Sequence, residues 1–165
     1  MSDVRRLMHI GISVDDLPRA ARFYRDVLEF TPVTKLSVEG FPVTTMFELD
    51  DIQLDCIFLE RDGVRIELMS FPRPGAIGDG QATPWHRRGL AHLALSVADL
   101  DVTKRKIVEY GGTLLEQTFV DNDDPAYQSR VQCAVCPDGV RLELIESKIG
   151  DPAEPLGVPV EDGDV

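Results

Sequence analysis

A stretch near the N-terminus returns in the second half of the chain. Residues 8–17 read MHIGISVDDL and residues 91–100 read AHLALSVADL, so His, Ser, Val, Asp and Leu recur at a spacing of 83. A second echo follows: DGVRIEL at 62–68 returns as DGVRLEL at 138–144, at a spacing of 76. Self-similarity of this kind marks two copies of one supersecondary unit, and the unequal spacings give the first copy about seven extra residues. Each copy opens on a His and closes on a Glu. The chain of 165 residues has room for two small modules sharing one core. They are expected over 5–72 and 88–147, with a Pro- and Gly-rich linker over 73–87. The acidic tail over 148–165 is expected to be flexible.

Within each copy the residue pattern predicts the same order of elements. A strand over 8–14 leads to a helix capped by Asp16, with Pro18 in its first turn. Leu17, Ala20, Ala21, Tyr24, Val27 and Leu28 recur there at helical spacing, and Phe23 and Tyr24 read as core residues. Segments 32–38, 52–60 and 63–70 read as extended, with Asp62-Gly63 as a tight turn. In the second copy a strand over 91–97 precedes a helix capped by Asp99, with Leu100, Thr103, Ile107 and Tyr110 along one side. Gly111-Gly112 ends it. Strands near 113–119, 128–136 and 139–146 follow. The fold class is therefore α+β, as two tandem β-α-β-β-β modules. Residues 41–50 hold most of the first copy's extra length, and periodicity leaves them open between a short helix and a strand.

Strand alternation locates the polar groups, because successive side chains point to opposite faces. Met8, Ile10, Ile12 and Val14 share an apolar face, and His9, Gly11 and Ser13 share the other. Ala91, Leu93, Leu95 and Val97 repeat the first set, and His92, Ala94 and Ser96 the second. In the closing strands Val64, Ile66 and Leu68 oppose Arg65, Glu67 and Met69. Val140, Leu142 and Leu144 oppose Arg141, Glu143 and Ile145 in the same way. If the His and Glu faces coincide, His9, Glu67, His92 and Glu143 converge on one surface. Two imidazoles and two carboxylates suit a divalent ion such as Zn, Ni, Co, Mn or Fe, and the lack of thiolate argues against a closed structural zinc site. A lone strand His or Glu is ordinarily a hydrogen-bonded or solvated filler. The joint recurrence of both types is what favours a metal site, since packing demands neither.

The remaining polar groups carry less. Arg65 and Arg141 lie on the same face as the glutamates; they are expected to pair with nearby carboxylates, the alternative being a substrate acid. Trp85, His86, Arg87 and Arg88 read as an exposed basic linker, the alternative being contact with an anionic substrate. Tyr127 and Arg130 are open between core and site. Cys133 and Cys136 form a CxxC on a predicted strand, where i and i+3 point apart, so they read as buried thiols.

Composition narrows the function classes. Lys plus Arg number 17 against 29 Asp plus Glu, a net charge of −12, which disfavours a nucleic acid or anionic membrane as partner. No apolar run approaches a membrane span. The N-terminal MSDVRRLMHIGISV lacks the pattern of a secretory signal, and the three Cys are too few for a disulfide framework, so a cytoplasmic location is expected. No phosphate-binding glycine loop and no serine triad stand out.

The doubled β-α-β-β-β unit, with HIGISV and DDL opening one copy and DGVRLELIE closing the other, resembles the vicinal oxygen chelate superfamily of glyoxalase I, methylmalonyl-CoA epimerase, extradiol dioxygenases and fosfomycin- and bleomycin-resistance proteins. The resemblance spans about 5–147 and implies a curved mixed sheet around a metal cleft. It implies His9, Glu67, His92 and Glu143 as ligands of one divalent metal ion, with Glu143 and Glu67 as the catalytic bases. A complete His/Glu/His/Glu set is most similar to glyoxalase I, and methylmalonyl-CoA epimerases usually have Gln where Glu67 stands. The implied activity is a metal-dependent lyase or isomerase that moves a proton next to a chelated carbonyl. Its substrate would be a small oxoacid, hemithioacetal or acyl thioester. Epimerase-like racemisation, non-catalytic binding or resistance, and Fe(II) ring cleavage are the alternatives. The resemblance also implies a homodimer.

Overall fold

The computed structural model describes residues 3–124 and 127–148, apart from the side chain of Tyr127. Strand β1 (Ile10–Ser13) leads into helix α1 (Leu17–Asp26). Strand β2 (Thr31–Glu39), the short helix α2 (Val43–Phe47), β3 (Gln53–Arg61) and β4 (Val64–Arg73) complete the first half. The second half runs through β5 (Leu93–Ser96), α3 (Leu100–Glu109), β6 (Thr113–Leu114), β7 (Val120–Asp124), β8 (Tyr127–Val135) and β9 (Arg141–Ser147). No described helix is long and apolar enough to cross a membrane.

Each half builds its own sheet. The first has the order β1-β4-β3-β2, and the second β5-β9-β8-β6 with β7 also on β8. Both are mixed: β1 lies parallel to β4 and β5 parallel to β9, while the other pairings are antiparallel. The fold is α+β, and β1 and β5 are edge strands. An edge strand leaves one row of backbone donors and acceptors unpaired.

Local chemistry explains the elements. Asp16 accepts a hydrogen bond from the Arg19 backbone N–H at 2.9 Å, and Asp99 caps α3 through Val102 N–H at 2.8 Å. The β3–β4 turn places Asp62 and Gly63 at φ 50° and 77°, both left-handed, as a two-residue hairpin turn needs. Ile12, Val14, Phe23, Tyr24, Leu59, Ile66 and Leu68 from the first half join Leu100, Ile107, Ala134, Leu142 and Leu144 from the second in one buried core. Phe23 and Tyr24 are thus core residues. The halves also meet at the β8–β9 turn, where Asp138 Oδ1 accepts from Arg19 Nη2 at 3.1 Å and from Asp15 N–H at 3.3 Å.

Two of these expectations need correction, and one open question closes. Met8 is half exposed rather than on the core face, because regular strand geometry begins only at Ile10. The strand expected over 113–119 is broken by a 3₁₀ turn at Glu116–Thr118. There Thr118 Oγ1 donates to Leu115 O at 2.7 Å and accepts from Cys133 N–H at 2.8 Å, so a side chain replaces a ladder bond. Residues 41–50 resolve as helix, with α2 laid against Ile52, Leu54, Met69 and Phe71. Of the acidic tail, only Lys148 lies within the described residues, with Nζ 2.5 Å from Asp121 Oδ1 and 3.1 Å from Asp123 Oδ1.

Candidate functional site

The parallel ladder between β1 and β4 sets Gly11 beside Glu67, and the ladder between β5 and β9 sets Ala94 beside Glu143. Gly11 and Ala94 put almost no side-chain bulk beside the carboxylates, and the end of Met69 fills the place a side chain at Gly11 would take. His9 and His92 stand one residue before their edge strands and turn back onto the same face. His9 Nε2 lies 3.1 Å from Glu67 Oε2, and His92 Nε2 lies 3.2 Å from Glu143 Oε2. The sheets' apolar faces meet the shared core, so both His–Glu pairs lie on faces turned away from it. The His side chains are 38% and 31% exposed, open enough to take a further ligand.

The structure brings each His to its own Glu but does not bring the two pairs together within one chain. Among the described residues no three His, Cys, Asp or Glu side chains gather. The four expected ligands lie as two separate His–Glu pairs of matching geometry rather than as one cluster.

Aromatic rings seat both imidazoles, and they come from unrelated places. Phe58, directly opposite Glu67 on β3, meets His9 edge-on with ring centroids 5.4 Å apart. Trp85, from the segment between the two halves, meets His92 at 5.0 Å. Trp85 is exposed, as the linker reading expects, and its ring also makes an edge contact with the second His. Phe58 could have been found from the sequence, because a two-residue Asp62-Gly63 turn fixes the hairpin register and puts Phe58 across from Glu67.

The two arginines differ. Arg65 pairs with Glu60, its cross-strand neighbour on β3. Arg141 does not pair with a carboxylate as expected. Its cross-strand neighbour on β8 is Val135, and Nη2 instead donates to Thr83 O at 2.8 Å. Arg130 is structural: it reaches Asp101 at 2.9 Å and Glu146 at 3.4 Å, tying α3 to β8 and β9. Of Tyr127 the backbone alone is described.

The thiols stay out of the donor set. Cys56, Cys133 and Cys136 are buried and free. Burial, and after it the hydrogen bond to Glu67, pushes the Cys56 thiol up to about 12. A neutral thiol can donate to the Glu67 carboxylate but is no thiolate ligand. What remains is nitrogen and carboxylate oxygen, the donors that suit a divalent transition-metal ion. Two donors each about 2.1 Å from one ion and at right angles lie about 3.0 Å apart, and both His–Glu spacings fit that edge.

Comparison with known proteins places the fold. The family model described as Glyoxalase/Bleomycin resistance protein/Dioxygenase superfamily matches residues 6–144. A glyoxalase family protein from Bacillus cereus superposes with a TM-score of 0.74 at 20% identity, covering 88% of this chain and 96% of that one. The trypanothione-dependent glyoxalase I of Leishmania major is similar with a TM-score of 0.55 at 22% identity, covering 87% of each chain. The fosfomycin resistance protein FosX of Listeria monocytogenes gives 0.55 at 16% identity, covering 88% of this chain and 96% of that one. At these identities the likeness is one of fold. No curated protein matches the chain.

Proposed function

The chain belongs to the glyoxalase/bleomycin resistance/dioxygenase superfamily, and from that premise we propose that it is a metal-dependent lyase or isomerase of the glyoxalase I kind. Two modules, 5–72 and 88–147, each supply half of the site. His9 and Glu67 of one copy, with His92 and Glu143 of a second, would hold one divalent ion (Zn, Ni, Co, Mn or Fe). Such an ion, when bound, supplies Lewis-acid polarisation of a substrate carbonyl. The working unit is a homodimer, and two-fold symmetry completes two sites at once. Both half-sites adjoin edge strands, and exposed apolar side chains flank both histidines: Leu7 and Met8 before His9, and Leu90 before His92. Unpaired edges beside exposed apolar groups favour burial against another chain.

The chemistry of this chain's own groups is a proton transfer. Glu67 and Glu143 face the substrate from opposite modules. One carboxylate takes the proton from the carbon adjacent to the carbonyl, and that C–H electron pair becomes part of a new carbon–carbon double bond. For a carbonyl with a hydroxyl on the adjacent carbon, the carbonyl pair passes to its own oxygen. The carried proton returns to the former carbonyl carbon and the hydroxyl proton passes to the former carbonyl oxygen, so the carbonyl moves by one carbon and the substrate is isomerised. Phe58 and Trp85 hold the imidazole planes. A hemithioacetal carries the adjacent hydroxyl that this isomerisation needs. A small oxoacid or acyl thioester with an acidifiable C–H would instead take the proton back on the same carbon from the other face, which is epimerisation.

One observation carries the proposal: the same Nε2–Oε2 spacing, 3.1 Å and 3.2 Å, recurs in both modules. It is tested by counting metal in purified protein. About one divalent ion per chain is expected, falling at least tenfold in both Glu67→Gln and Glu143→Gln. Full metal content in either variant, or none in the parent protein after reconstitution, rejects it.

A further inference from the structure

A cavity of about 520 Å³ opens beside His92, between the edge strands β1 and β5 and the segment from Ile77 to Leu90. Arg141 lines it, as does Arg87. Arg141 is 9% exposed, and its Nε has no partner. Only Nη2 finds an acceptor among the described residues, the Thr83 carbonyl. Among the described residues no carboxylate lies within 4.0 Å of its guanidinium. Of the two acids that share the cavity, Asp138 holds Arg19 through Oδ1 while its Oδ2 is buried without a partner among the described residues, and Asp79 Oδ1 accepts Gln81 N–H at 3.0 Å; neither reaches the Arg141 guanidinium. The Trp85 ring covers the guanidinium at 4.5 Å and also meets His92.

A buried cation without a counter-ion is costly. The repeat shows that the cost is particular to this position, since Arg65 at the equivalent place has Glu60. In the second half Val135 stands where an acid would neutralise Arg141.

We propose that Arg141 is the seat for a carboxylate of the substrate, with Trp85 as its platform and Arg87 as a second cation in the cavity. This rests on the proposed metal-dependent reading for what happens at the other end of the substrate. Arg141 and Glu143 lie two residues apart on one face of β9, so the two ends are separated by about 7 Å. That span fits a short acid of about five carbons whose carbonyl reaches the His92–Glu143 pair. A buried guanidinium with an unsatisfied donor suits a carboxylate, which it binds through paired N–H groups.

Trp85 is the chain's one tryptophan and its ring touches two cavity-lining side chains, Arg141 and His92, so its emission reports on their surroundings. The test titrates the full-length protein, stripped of metal with EDTA at fixed ionic strength, with glutarate and with its neutral diamide, glutaramide. A saturable change in Trp85 emission is expected with glutarate and not with glutaramide. Affinity for glutarate should weaken at least tenfold in Arg141→Met. Should that variant fail to fold by circular dichroism, Arg141→Lys decides, with at least threefold weakening expected. No saturation with glutarate, an equal response to glutaramide, or unchanged affinity in the deciding variant overturns the proposal. Because the titration needs no metal, its failure leaves the metal reading standing. Glutarate binding by a protein that takes up no metal would instead reject that reading alone.

Discussion

Gly11 stands directly beside Glu67 in the parallel β1–β4 ladder, and a Cβ built on Gly11 would come within 2.9 Å of Met69 Cε. The absence of a side chain at Gly11 thus makes room for the end of Met69 on the face that carries Glu67. Gly11→Val is predicted to lower metal content and turnover at least tenfold. Its thermal midpoint should change little, because the end of the Met69 side chain can move aside and Val suits a strand. Metal analysis and turnover beside a melting curve check this. Parent-like activity in a folded variant would show that the space is not needed.

Loss of either carboxylate should remove the proton carrier. Glu67→Gln and Glu143→Gln are each predicted to reduce turnover by ~100-fold or more, the loss typical of a missing general base. Both keep the shape of the side chain, so their melting curves should stay near that of the parent protein. Near-normal turnover in both would reject their assignment as bases.

Two glycines separate crowding from backbone strain. Gly139 has φ 84°, and a Cβ there would lie 2.8 Å from both C and O of Gly80. Gly63 has φ 77° and would meet nothing. Gly63→Ala is therefore predicted to cost about 1 kcal/mol for the left-handed backbone alone. Gly139→Ala should cost roughly 2–3 kcal/mol, because it also pushes the loop carrying Asp79 and Gly80 off the β8–β9 turn. Urea denaturation of both variants tests the order; equal losses would show that the loop does not press on the turn.

Much of this architecture is local, and that part is readable from residue order alone. Asp16, Asp99 and Asp62-Gly63 act through hydrogen bonds or dihedral angles within a few residues of themselves. Glu67 and Glu143 follow from strict alternation on their strands. Thr118 could not be read in the same way: its hydroxyl breaks the expected strand only because Cys133, on another strand, offers an N–H to it. The pairing of Asp138 with Arg19 across the two halves has no local signature either. Neither does the placement of Trp85 over His92, which depends on how the segment before β5 folds back. For the same reason convergence of all four ligands followed from the repeat only as far as each half. The repeat fixes the geometry within a half and says nothing of how the halves face.

Buried ionisable groups set the alkaline limit of stability. Burial raises Tyr24 well above the usual phenol range and is the leading cause of the upward shifts of Cys56, Cys133 and Cys136. In the unfolded chain thiols ionise near about pH 8.5 and tyrosine near about 10. Above those values the unfolded state sheds protons that the folded state retains, so stability falls as pH rises. The stabilising contribution is full below about pH 8 and is lost through the alkaline range up to the raised values. Urea midpoints should hold from pH 7 to 8 and drop by pH 10, less steeply in Cys133→Ala. A midpoint unchanged or higher at pH 10 would contradict this.

Two crippled variants decide whether one working site is shared between copies. Chains carrying His9→Ala with Glu67→Gln, and chains carrying His92→Ala with Glu143→Gln, are each predicted to be inactive alone. Mixed in equal amounts and allowed to exchange subunits, half of the dimers become mixed, and each mixed dimer regains one intact site. Turnover should then rise to about a quarter of the parent value. No recovery despite demonstrated subunit exchange would contradict a metal site built from His9 and Glu67 of one copy and His92 and Glu143 of the other.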